Sequence, residues 1–177
     1  MRSIKTTTIS ILAVGLLAGS AVGVAAQDEE VADPIAHAIV TGSISGTRTS
    51  SGSATAESGA VLTEGVGFQQ TWEASDPRLS GSVSYAGNWL RYPGTGELQV
   101  EASSVVLDNA DGRWRGIGTG MVAGDLSMET TILRGEGGYE GLTAYVMQDW
   151  AQGLPAAFTA AIFPGEMPVS PEPPSAE

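Results

Sequence analysis

Residues 79–89 alternate with few interruptions. Leu79, Gly81, Val83, Tyr85, Gly87 and Trp89 fall on one side, and Ser80, Ser82, Ser84 and Asn88 fall on the other. A period of two sends successive side chains to opposite faces of a strand, so the pattern predicts a half-buried β-strand over 79–92. Residues 38–47 are rich in β-branched side chains and give an earlier strand; residues 60–74 hold Phe68, Gln70 and Trp72 on one face. Residues 97–108 read with Leu98, Val100, Ala102 and Val106 on one face and Glu97, Gln99, Glu101 and Ser103 on the other. A glycine-rich strand over 113–123, a hairpin over 130–150 and a last strand over 156–163 complete the set.

Turn chemistry separates these runs. Asp76-Pro77, Pro93-Gly94, the stretch 109–112 and Gly124-Asp125 each combine the residues that reverse a chain. Gly137-Gly138 suits a two-residue hairpin turn, which would start the next strand at Tyr139. Residues 49–59 (TSSGSATAESG) are small and polar and read as a long loop or a ragged strand edge. No segment carries an apolar stripe of 3.6-residue period long enough for a helix. About eight strands joined by short turns predict an all-β fold, a single antiparallel up-and-down barrel, with a β-sandwich as the alternative. Leu79-Ser80-Gly81, Trp114-Arg115-Gly116 and Tyr139-Glu140-Gly141 each set a large apolar residue two before a glycine, so that its bulk can lie across the space the glycine leaves.

The ends of the chain depart from this pattern. Arg2 and Lys5, an apolar run over 9–24 and the small residues Val24-Ala25-Ala26 predict a secretory signal peptide over 1–26, and with it a secreted or extracytoplasmic location. An acidic lead-in over 27–36, a barrel domain over 37–165 and a disordered acidic, proline-rich tail over 166–177 follow. The chain has no cysteine, which excludes a disulfide framework, a lipoprotein anchor and thiol chemistry. Its formal net charge is −12, and removal of 1–26 takes away Arg2 and Lys5 but no acid, leaving −14. Such a surface repels phosphate backbones and anionic lipid, so nucleic acid is an unsuitable partner. The strands lack a continuous lipid-facing band, so no stable membrane insertion is expected. Nothing in the pattern signals an oligomeric state.

His37 is the only histidine. A histidine-based triad or a multi-histidine metal site is thereby excluded, and a solvated surface residue is the plainer reading. No metal site and no cofactor are expected, since no calcium-loop spacing or phosphate-loop signature is present; Gly116, Gly118 and Gly120 lack the following helix and lysine. Glu73, Glu101 and Asp149 lie within strands rather than turns, which makes them candidates for acid–base work if their faces point inward. The four tryptophans, Trp72, Trp89, Trp114 and Trp150, all fall on strands and suit core packing first and ligand stacking second. Arg91, Arg113 and Arg115 are expected to pair with neighbouring acids. For a ligand entering at a barrel end the expected contacts are Trp89, Tyr145 and Asp149. The last two share a face with Tyr139, Thr143 and Met147, apolar with polar groups at intervals. The opposite face of that strand is also mostly apolar, so side alone does not settle the orientation.

The stretch Gly135-Glu136-Gly137-Gly138-Tyr139-Glu140-Gly141 resembles the G-x-G-x-aromatic-x-G hairpin found late in the allene oxide cyclase and dirigent barrel superfamily. Strand count and length are similar as well, and the likeness covers about the last third of the domain. It implies a barrel whose mouth binds an apolar or phenolic ligand, with cyclisation or coupling steered in some members. No functional residue carries over, so it supports the fold rather than an activity. The leading expectation is a secreted, non-catalytic barrel that binds a small apolar ligand or serves as an envelope-associated domain. An isomerase or cyclase of the allene oxide cyclase type is the first alternative. A carbohydrate-binding module presenting tryptophans on an open sheet is the second, and Trp89 sharing a face with Val83 and Tyr85 counts against it.

Overall fold

The structure, a computed structural model, describes residues 37–94 and 98–170. The signal-peptide segment, the whole acidic lead-in, and the tail from residue 171 lie outside them. Eight antiparallel strands close into one hydrogen-bonded ring in sequence order, β1 pairing with both β2 and β8. They are β1 (Ala38–Glu57), β2 (Ala60–Ala74), β3 (Gly81–Tyr92), β4 (Leu98–Asp108), β5 (Gly112–Ala123), β6 (Leu126–Gly137), β7 (Leu142–Asp149) and β8 (Ala156–Pro164). The only helix among the described residues is one 3-10 turn at Pro77–Leu79, capped by the Asp76 carboxylate, which accepts from the Arg78 amide. The sheet therefore closes as a barrel, and the sandwich does not form. Closure is favoured because it leaves few unpaired strand edges.

Two sequence expectations need correction, and of the two readings of 49–59 one holds: residues 49–57 are a strand edge and not a loop, with β1 running on to Glu57, paired with β2 across a bulge near Arg48. Beyond Ile44 no register to β8 remains, so this part of β1 is held by β2 alone, and residues 47–56 are all exposed. A ribbon with water on both faces needs no apolar alternation, which is why its sequence looks like a loop. The β6–β7 connection is also longer than a two-residue turn. Gly137 and Gly141 take positive φ, Gly138 does not, and Leu142 rather than Tyr139 begins β7. Finally, β4 sits in the opposite phase. Glu101, Ser103, Val105 and Leu107 point inward, while Val100 and Ala102 face out.

The two ends of the barrel differ. At the end formed by the β2–β3, β4–β5 and β6–β7 connections, Leu79, Trp114 and Tyr139 are buried and fill the lumen. The Trp114 and Tyr139 rings stack with centroids 5.1 Å apart. Trp114 donates its indole N–H to the Arg78 carbonyl at 2.8 Å, and Tyr139 donates its hydroxyl to Asn109 Oδ1 at 2.8 Å. The recurring apolar-x-glycine motif thus marks the plug of one barrel end. Its ring does not lie over its own glycine, however: the Tyr139 ring lies against Gly112, its backbone and Cβ lie against Gly135, and Gly141 borders open space. The middle of the lumen is packed by Ile44, Trp72, Val83, Val105, Leu133, Val146 and Phe158.

Candidate functional site

At the other end the lumen is not filled. A cavity of about 230 Å³ opens there, bounded by the later turns of β3, the start of β4, the end of β5, the start of β6 and the β7–β8 connection. Its walls include Phe68, Tyr85, Trp89, Val122, Trp150 and Leu154, and its polar groups are Gln70, Gln99, Glu101, Ser127 and Glu129.

Glycine makes the room. Between Trp114 and Val122 the inward face of β5 is Gly116, Gly118 and Gly120, so this stretch sends no side chain into the lumen. In register, Gly118 lies between Ser103 and Thr131, and Gly120 between Glu101 and Glu129. The polar side chains of β4 and β6 occupy the vacated space: a Cβ on Gly118 would come 2.5 Å from Ser103 Oγ, 2.9 Å from Thr131 Oγ1 and still closer to Glu129 Oε1. A Cβ on Gly120 would meet the Glu101 carboxylate, 2.9 Å from its carboxyl carbon.

The two carboxyl groups thus stand on either side of one glycine. Glu129 is 2% exposed and accepts a 2.6 Å hydrogen bond from Ser103 Oγ; its second oxygen accepts none from a described residue. Burial is the main reason its pKa is pushed up to about 7, with the nearby Glu101 charge adding and the Ser103 hydrogen bond opposing. Burial raises Glu101 too, against a long 3.5 Å hydrogen bond from Gln99 Nε2. Tyr85 is raised by burial first and then by the charges of Glu129 and Glu101. Neither carboxylate is in an ion pair: those among the described residues join Arg78 to Asp76, Arg113 to Asp108, Arg115 to Glu136 and Arg134 to Glu166.

The aromatic wall is ordered by edge and face contacts. Phe68 meets Tyr85 at 5.7 Å, nearly perpendicular, and Trp89 at 6.2 Å. The exposed Arg48 guanidinium lies over the Trp89 ring at 5.1 Å and the Phe68 ring at 5.9 Å. Trp89 Nε1 and Trp150 Nε1 are buried with no partner of hydrogen-bonding geometry, although the Trp89 indole is near enough to the Tyr85 phenol to offset part of its upward shift. Buried donors are nearly always satisfied, so two orphans in one cavity wall are unusual.

Of the three residues expected at a ligand, Trp89 lines this cavity. Tyr145 and Asp149 lie on the outer face of β7, because the inward phase is Ala144, Val146 and Gln148. Tyr145 falls in an outer row that runs in register through Ile117, Ile132, Tyr145, Ala161 and Ile39, and this row explains why β7 is apolar on both faces. Asp149 edges a separate, more open depression with Met128, Met147 and Thr159, and accepts from the Ala151 amide. Glu73 is exposed; Glu101 is the one strand carboxylate of the three that enters the lumen. Glu129 is the residue that reading by sequence missed. Its signal was present, since Glu129, Thr131 and Leu133 share a phase opposite the glycine stripe of β5. Trp72 and Trp114 are buried in the core and Trp89 and Trp150 line the cavity, so none offers a platform on an open sheet. Compared with known proteins, the chain matches no family model, no curated protein and no solved structure.

Proposed function

We propose that this protein is a secreted, small-molecule-binding barrel whose mouth cavity holds a small, largely apolar ligand. The observation that carries the reading is the asymmetry of the lumen. One end is packed shut by Trp114 on Tyr139, and the other retains a cavity with aromatic walls, buried carboxyls and two indole N–H groups without partners. A few polar groups converging in an apolar concavity are the usual composition of a ligand site. At about 230 Å³ the cavity is smaller than the ~300–1,000 Å³ typical of drug-sized ligands, so it suits a single ring with a short chain. Secretion is supported by the composition of residues 1–26, and the allene oxide cyclase and dirigent likeness supports a mouth-binding barrel.

A second reading, an isomerase or cyclase, is favoured by one observation: Glu129, with its raised pKa of about 7, lies beside Tyr85 in a site largely screened from water. A carboxyl poised near neutrality can give or take a proton during reaction. Binding is the preferred reading because it needs only the cavity. Native mass spectrometry of the protein recovered from its own host tests it, with Val122→Trp, which fills the cavity, as the comparison. A retained small molecule on the parent and none on Val122→Trp is the expected result. An empty parent that also takes up no neutral aromatic alcohol contradicts the reading.

A further inference from the structure

We infer that the mouth cavity takes a small organic cation, an ammonium or amidinium on an aromatic or short apolar body, with its charge seated between Glu101 and Glu129. The inference rests on the ligand-binding reading above and names the ligand class.

Four observations converge. The first is an uncompensated pair of acids: Glu101 and Glu129 flank Gly120, neither is ion-paired, and each accepts one hydrogen bond from the described residues, from Gln99 and Ser103 respectively. A buried carboxyl with neither a paired charge nor several donors tends to hold its proton, and a cationic guest would supply the charge that lets it ionise. The second is position. The space over Gly118 and Gly120 is taken by the acids' own side chains with Ser103 and Thr131, and both acids line the cavity wall.

The third is the rest of the wall. Phe68, Tyr85, Trp89 and Trp150 line the same cavity as the carboxyls, and aromatic faces attract cations. The protein already uses two of these rings in that way, since the Arg48 guanidinium rests over Trp89 and Phe68 at the rim. The unpartnered indole N–H groups of Trp89 and Trp150 call for an acceptor, which the cationic head does not supply, so they bear on the body of the guest and not on its charge. The fourth is the field of the whole chain, whose net charge of −12 draws cations toward its surface and repels anions. An anionic ligand would face Glu101 and Glu129 directly. A neutral ligand would fill the volume but gain no attraction from the acids' charge.

Three probes of matched shape separate these cases: 2-phenylethylammonium, 2-phenylethanol and phenylacetate, titrated calorimetrically into the folded protein at neutral pH. The ammonium is expected to bind at least about tenfold tighter than the alcohol, as a charge-assisted contact to a carboxylate provides, and phenylacetate not to bind. Glu129→Gln and Glu101→Gln should each erase most of the ammonium's advantage and leave alcohol binding nearly unchanged. If one variant fails to fold, the other variant and the probe order on the parent still decide. Alcohol binding equal to or tighter than ammonium binding overturns the inference while leaving the ligand-binding reading intact. Ammonium binding that keeps its full advantage in both variants also overturns it. Binding of none of the three overturns both.

Discussion

Replacing Glu129 by glutamine removes the buried ionisable group while keeping its shape and an oxygen able to accept from Ser103. The folded protein holds the Glu129 pKa at about 7, against 4.5 for the free side chain. The sign follows from proton counts. Between these values the folded state keeps a proton that the unfolded state has released, so stability falls as pH rises through this window. At about 1.36 kcal/mol per pH unit, the full loss is about 3 kcal/mol, complete above pH 7 and absent below 4.5. Glu101, also raised by burial, acts in the same direction, whereas Asp76, held low by its hydrogen bonds to Arg78, costs stability only as pH falls through the acidic range. The groups nearest Glu129 are Ser103 and Glu101 from β4, Tyr85 from β3, Gln148 from β7 and Thr131 on its own strand, and none is cationic. Urea unfolding of parent and Glu129→Gln at several pH values from 5 to 8 measures the effect. The two should differ little at pH 5, and the variant should be the more stable by about 3 kcal/mol at pH 8. Parallel curves across that range would refute the buried, uncompensated carboxyl.

Other perturbations test neighbouring parts of the argument. Gly118→Ala introduces a Cβ among Ser103, Thr131 and Glu129 and should destabilise by about 2–4 kcal/mol, combining overpacking with a strained Ser103–Glu129 bond, read as a lowered Tm. Thr119→Ala, on the exposed face of the same strand, should stay within about 0.5 kcal/mol of the parent. Trp114→Ala empties the closed end and should cost about 3–5 kcal/mol in denaturant unfolding, yet the folded fraction should keep its affinity for 2-phenylethanol, since the cavity is at the opposite end. Trp89→Ala should weaken that affinity, while Asp149→Asn should leave both affinity and stability nearly unchanged; a strong loss of binding in Asp149→Asn would move the site to the outer depression.

The fold was largely legible because a two-residue period survives in most strands and the turns carry their own chemistry. Residues 79–89 show it most clearly: each residue assigned to the apolar face points into the lumen. Legibility failed where one face of a strand was not set apart by polarity. In β4 the inward residues include Gln99, Glu101 and Ser103 and the outward ones include Val100 and Val106, so hydrophobicity alone inverts the phase. In β7 both faces are apolar, and only the register with β6 and β8 fixes that Val146 and Gln148 face in. The site inherits both ambiguities. Trp89 was readable because β3 was readable, whereas Glu129 becomes visible only when Gly118 and Gly120 are placed beside it across the sheet. Such a space is a property of three adjacent strands, which no single-strand pattern contains.

At the open barrel end the buried Glu129 carboxyl lines the cavity. Carbon-13 NMR titration of the glutamate side-chain carboxyls, assigned with Glu129→Gln, reads it directly. A Glu129 midpoint near 7 is expected in the free protein, moving down when 2-phenylethylammonium is bound. A Glu129 resonance that titrates near 4.5 and ignores the ammonium would contradict it.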